Sequence, residues 1–420
     1  MLRSMRGTSV AVLAGAMVAL SATSAGAAPE PRTERVTVSA AGEQLDGGSD
    51  GPRLSADGRY AAFGSYAANV VPGDGNGQPD AFVRDLRRGT VERVSVASDG
   101  TPADEASHYV RISGDGRYVA YRSRATNLVA WPQPQAYYSD VYVHDRRTGE
   151  TERVSVAADG GSGWVRDSVD ISGDGRVVAF TASASRIEGG DAPNQTRAYV
   201  HDRRTGQTRH ISGHLPSDWD VQNLRLSADG EHLAYEQRHP RGGRGELWLA
   251  DLRTGEQKHL NVAPDGAPTN GVPGGLSISA DGGLVAYGSF GESVAGDVPP
   301  YTWELYQYDA RTGGTRWITH EGAGELGAGT LSADGRKLAY RQETALPGGE
   351  TADNVYVRDL RTGRTTLVTE SLDGGPLTEG YSAPSDFARH GRLLGLFSTS
   401  GRLVPDDTNG EGDGFVHRVR

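Results

Sequence analysis

Residues 34–40 read ERVTVSA, residues 92–98 read ERVSVAS and residues 152–158 read ERVSVAA. The second and third copies each close a longer repeated unit, whereas the first stands near the start of the chain with no unit before it. The unit is marked by Ser-x-Asp-Gly, usually followed by Arg. The marker glycine falls at Gly58, Gly116, Gly175, Gly230, Gly282 and Gly335, with a degenerate seventh at Gly391, in steps of 58, 59, 55, 52, 53 and 56 residues. A period of this size holding several short strands is that of a propeller blade.

The second unit shows the pattern. Strand A is HYVRIS, ending before Gly114, and strand B is RYVAYRS at 117–123, which alternates as a pleated strand does. Strand C is VYVHD at 141–145, and an RRTG turn leads to strand D, ETERVSV at 150–156. Asp-Gly and Thr-Gly suit short hairpin turns because Gly accepts positive φ. The last unit runs from Asp386 through LLGLFS to GFVHRVR and stops, so it lacks strand D. The orphan ERVTV at 34–38 supplies it. The expected fold is therefore all-β, a seven-bladed β-propeller of four-stranded antiparallel blades, closed by the N-terminal strand completing the last blade. Closure hides sheet edges that would otherwise template aggregation.

Residues 1–27 read as a secretory signal peptide: Arg3 and Arg6, an apolar run from Val10 to Leu20, then Ala25-Gly26-Ala27. The run is too short to span a membrane. Residues 28–420 are expected to form one propeller domain, exported and monomeric. With no Cys in the chain, packing and closure must replace disulfides. Net charge is −11, and −13 without the leader, which carries two Arg and no acid. Nucleic acid and anionic membrane are poor partners for such a chain. Gly at 59 of 420 residues and 36% hydrophobic content suit many short strands and turns.

SADGRYAAF, SGDGRYVAY and SADGRKLAY, with the following VYVHDRRTGE and VYVRDLRTGR, resemble the WD40-like propeller repeats of the TolB type over residues 34–420. The resemblance implies the fold. For function it implies a range: binding platforms, envelope complexes and accessory domains of peptidases. This chain has seven repeats where the TolB propeller has six and lacks its separate N-terminal domain, and it holds no G-x-S-x-G elbow.

Strand order puts short, uniform A–B and C–D turns on one face and long, varied D–A and B–C loops on the other. Binding usually resides in variable loops on a rigid scaffold, so the second face is the expected working face. Trp131, Tyr137, Tyr138, Trp164, Trp219, Tyr301 and Trp303 fall in its loops. They offer flat apolar surfaces to a glycan, a peptide or an exported protein, or else pack the loops together. Arg53, Arg111 and Arg225 share one position of strand A, which lines the central channel, and three guanidiniums there would hold a carboxylate. VPGDGNGQPDAF and VPDDTNGEGDGF share D-x-N-G-x-x-D, and Asp74, Asn76, Asp80, Asp407, Asn409 and Asp413 are candidate Ca²⁺ ligands. The repeated Asp57, Asp115, Asp174, Asp229, Asp281 and Asp334 read as architectural. The expected function is an exported, non-catalytic binding platform for a glycan, wall polymer or protein. The alternative is a glycan lyase or hydrolase with its site at the channel mouth.

Overall fold

The computed structural model describes residues 32–419 except 131–137, 190–193, 215–217, 240–244, 264–265, 267–268, 270, 291–293, 296–301, 319–325 and 347–348. Residues 1–27, read above as a signal peptide, lie outside the described residues. Seven four-stranded antiparallel sheets are arranged as blades; the only described helix is the single turn Ala184–Ile187. Blade 7 is assembled from both ends of the chain. Thr33–Arg35 pairs with the strand Asp413–Arg418, with Thr33 opposite His417 and Arg35 opposite Phe415. The orphan repeat tail is thus the missing outer strand.

That strand is shorter than its sequence pattern suggests, and so is strand D of every blade whose copy was read above. The backbone N–H groups of Val36 and Thr37 both point at Gly414 O, at 2.9 and 3.4 Å. Val94 and Ser95 share Ala81 O in the same way. Two donors on one carbonyl form a bulge, which ends the ladder and turns the next side chain inward.

Each residue of the marker has a task. Ser55 Oγ donates to Asp57 Oδ1 at 2.7 Å and accepts from Tyr60 N, while Arg59 N donates to Asp57. The same clasp recurs at Asp115, Asp174, Asp229, Asp281 and Asp334. The marker glycines hold φ between +62° and +79°, a region that costs other residues energy. The small residue after Ser is there because neighbouring blades hydrogen-bond at that point. Ala56 N donates to Gly114 O, Gly114 N to Gly173 O, and Gly173 N to Ala228 O, at 2.8–2.9 Å. Arg389 N of blade 7 donates back to Ala56 O. A Cβ on Gly173 would lie 2.9 Å from Ala228 O. These peptides encircle the channel on the A–B face.

Blades pack large against small. In strand B, Tyr121 joins a cluster with Ala62, Ala81 and Val83 of blade 1, whereas its neighbour Ala120 faces Val169 and Phe180 of blade 3. The aromatic is doubled by a partner across strand C: Phe63–Phe82, Tyr121–Tyr142, Phe180–Tyr199, Tyr287–Tyr306 and Tyr340–Tyr356 all lie 5.7–6.0 Å apart. Burial of such rings dominates the energetics of a core. Arginines of the C–D turns then staple blades together: Arg146 covers the Tyr60 ring at 4.3 Å and pairs with Glu92, and Arg203 does the same to Tyr118 and Glu152.

Candidate functional site

Strand A of six blades carries a β-bulge, between His108 and Arg111 in blade 2, Val221 and Asn223 in blade 4, and Pro384 and Asp386 in blade 7, for example. Bulges re-aim side chains, and in these six blades the bulge lies at or just before the inner-strand position that lines the channel. That position reads Arg53, Arg111, Asp170, Arg225, Ser277, Thr330 and Asp386 from blade 1 to blade 7. Asp170, Ser277 and Asp386 accept from the backbone N–H of the next blade: Leu226, Leu331 and Leu54, at 3.0, 2.8 and 3.4 Å. They are blade clamps. The arginines instead extend into the channel.

Three guanidiniums thereby meet two carboxylates at the waist of the propeller. Arg111 Nε lies 3.7 Å from Asp170 Oδ1, and Arg53 donates to Ser385 O. Burial, with Arg111 and Arg225 repelling, pushes Arg53 down to about 9. Burial and Arg111 push Arg225 down to about 10. Both remain cationic at neutral pH. Burial raises Asp386 against the pull of Arg53 and Arg111.

Above the waist, on the D–A and B–C side, a cavity of about 480 Å³ opens, floored by Arg53, Arg111 and Arg225. Asp50 leans into it beside Gly64, where a Cβ would come within 2.7 Å of Asp50 Oδ2. His108 faces it as well. Burial raises Asp50 against the pull of Arg53, His108 and Arg111. Burial, then Arg122, lowers His108. Tyrosines edge the mouth: Tyr66 and Tyr109 line the cavity, and Tyr381 packs on its lining residue Phe397 at 6.1 Å. These rings are 63%, 41% and 44% exposed. Tyr109 sits in the bulge with φ +57°, a conformation held by its surroundings. The inner-strand arginines were legible in the sequence. Asp50, His108 and the three tyrosines were not: His108 and Tyr109 are exposed by a bulge that leaves no residue-type signal, and Asp50, Tyr66 and Tyr381 lie in connections beside the strands.

The loop aromatics are dispersed. Trp131, Tyr137 and Tyr301 lie outside the described residues. Tyr138 stacks on Trp164 at 4.1 Å, and Arg186 covers the Trp164 ring at 5.2 Å. Trp219 meets His239 edge-on at 6.0 Å. Trp303 belongs to strand C of blade 5, not to a loop: it pairs with Phe290, which lengthens that hairpin, and it packs over Gly274.

The two acidic loops do converge on cations, and the cation is arginine. Arg35 contacts Asp407 Oδ2 and Asp413 Oδ2, both at 3.1 Å, and Thr37 donates to Asp413 Oδ1. In blade 1, Arg93 pairs with Asp80 at 3.2 Å and Ser95 donates to Asp80 at 2.6 Å. Asn76 and Asn409 donate to the Ala103 and Leu45 carbonyls, fixing their loops. The contacts that calcium would need from Asp80, Asp407 and Asp413 are taken by guanidinium groups, while Asp74 Oδ1 is buried with no hydrogen-bond partner. Among the described residues, no group of three or more His, Cys, Asp or Glu is placed to hold a metal ion.

No family model matches the chain, and no curated protein does. Solved structures do. An oligogalacturonate lyase in complex with manganese aligns with TM-score 0.60 at 14% identity, covering 92% of this chain and 93% of that one. The β-propeller domain of the trilobed protease from Pyrococcus furiosus aligns with TM-score 0.56 at 13% identity, covering 85% and 91%. TolB from Acinetobacter baumannii aligns with TM-score 0.40 at 18% identity, covering 91% and 81%. At these identities the likeness is one of fold: this chain is a seven-bladed β-propeller with propeller proteins of differing function as structural neighbours.

Proposed function

We propose that the protein is an exported binding platform whose ligand, a glycan bearing carboxylates, enters the cavity on the D–A and B–C face. The observation that carries this reading is the cluster of Arg53, Arg111 and Arg225 flooring a 480 Å³ cavity, where burial raises the facing carboxyls of Asp386 and Asp50. Burying charge without a partner is costly, and a carboxylate matches the planar fork of arginine. Exposed Tyr66, Tyr109 and Tyr381 at the mouth suit the apolar face of a sugar ring. Calorimetric titration with carboxylated and neutral oligosaccharides tests it. Binding is expected for the carboxylated set alone and is lost in Arg111→Ala, with the far-ultraviolet spectrum and melting retained. Equal binding of neutral sugars, or unchanged binding by the variant, would overturn the reading.

A second reading, an enzyme on the same ligand class, is favoured by Asp50 and His108. Both face the cavity, and burial favours the uncharged form of each, raising Asp50 and lowering His108; buried titratable groups in a cavity are candidates for acid–base work. Manganese, held by the lyase neighbour, finds no ligand set in this cavity: Asp50 and His108 are its only His, Cys, Asp or Glu lining residues, and among the described residues no group of three is placed to hold a metal ion. Shortening of a carboxylated oligosaccharide that stops in His108→Gln but not in a surface variant would establish the enzyme. Absence of turnover with binding intact would leave the platform.

A further inference from the structure

A second cavity, of about 290 Å³, adjoins the first over blades 2 and 3 and is lined by Arg122, Arg124, Arg166, Tyr138 and Trp164. Arg124 and Arg166 are exposed, and neither has a carboxylate partner among the described residues. Clustered cations are notable in a chain of net charge −11. Arg122 covers the Tyr109 ring at 4.3 Å, and Tyr109 lines the first cavity, so one side chain joins the two spaces. Arg122 and Arg124 both act electrostatically on His108, which faces the first cavity. Tyr138 is 39% exposed and is fixed from behind by Trp164. It therefore presents one rigid, open face beside three cations.

We infer that this shelf is a second anion subsite, continuous with the arginine-floored cavity through Tyr109, and that the ligand is a uronate-type oligosaccharide with acid groups on at least two sugar units. This rests on the proposed binding function and extends it along the ligand. One acid seats on Arg53, Arg111 and Arg225. The chain then crosses Tyr109, and a later acid reaches Arg124 and Arg166. Flat tyrosine faces next to guanidiniums favour a saccharide over an acidic peptide, which has no ring to stack.

The test is titration of the protein with galacturonate and mannuronate oligomers of one, two and four units, and with a poly-glutamate peptide, using the parent, Arg111→Ala and the double variant Arg124→Ala/Arg166→Ala. The expected result is a gain of ~10-fold or more from one unit to four in the parent, from two linked contacts. In the double variant the one-unit affinity stays and the gain disappears. A length-independent affinity, or a gain that survives in the double variant, overturns the subsite while leaving the first cavity in place. If no uronate binds the parent, or binding survives in Arg111→Ala, the binding function itself fails and the subsite falls with it. Tighter binding of poly-glutamate than of any oligomer would overturn the saccharide assignment.

Discussion

Arg35 shows how a residue's role can differ from that of the motif around it. Asp407 and Asp413 have calcium-like spacing, yet their carboxylates point at the Arg35 guanidinium, and Asp413 is fully buried. Burial raises the Asp413 carboxyl, held against this by Thr37 and Arg35. The spacing was legible because loop carboxylates are visible in a sequence. Their partner was not, because Arg35 is far away along the chain and reaches them only once the ring is closed. Removing it leaves buried charge uncompensated, which typically costs about 3–5 kcal/mol. Arg35→Ala is accordingly expected to lower the unfolding free energy by an amount of that order, read as a lower urea midpoint at unchanged slope. Arg35→Lys should recover part of the loss, since an ammonium cannot bridge both acids. A midpoint unchanged in Arg35→Ala would mean that water replaces the guanidinium without cost.

Strands were the most legible elements, since alternation and turn residues recur in every unit. What escaped was irregularity: strand D stops at Arg153 where its pattern runs on to Val156, and strand A bulges beside the channel residue in six of the seven blades. A bulge is set by how blades fit around the axis, so no single unit encodes it. The closing strand carries its own pH sensitivity. His417 is buried opposite Thr33, whose hydroxyl lies 2.9 Å from its Nδ1, and burial with Arg32 nearby pushes the imidazole down to about 4. An unfolded His titrates near 6.5. Above that pH both states are neutral and the term vanishes. As pH falls from 6.5 to 4 the unfolded chain takes up a proton that the folded chain refuses, so stability declines by up to about 3 kcal/mol. Urea midpoints measured across this window should fall in the parent and fall less in His417→Gln. Parallel profiles for the two proteins would remove His417 as the cause.

At the scale of the whole molecule, seven near-copies made the architecture legible, and the same sameness hid the site, which is built from what differs between blades. Arg53, Arg111 and Arg225 stood out only because one position of the repeat changes from blade to blade. The cavity above them responds to acid in the opposite sense to the closing strand. Asp50, raised by burial against Arg53, His108 and Arg111, loses its negative charge on acidification. His108, lowered by burial, Arg122 and Arg124 against the pull of Asp50, gains a positive one. A uronate remains ionised to about pH 4, so between pH 6.5 and 4 the cavity becomes more cationic toward an anion still carrying its charge. Each charge gained is worth on the order of 1 kcal/mol, about fivefold in affinity. Affinity for an oligouronate is therefore expected to rise as pH drops from 7.5 to 5, and Asp50→Asn to bind more tightly at pH 7.5 with a flatter profile. Because a ligand that binds only the folded state stabilises it by mass action, saturating oligouronate should raise the melting temperature more at pH 5, where the closing strand is weaker and the cavity stronger, than at pH 7.5. An equal rise at both pH values would separate the cavity from Asp50 and His108 and leave the arginines alone to hold the ligand.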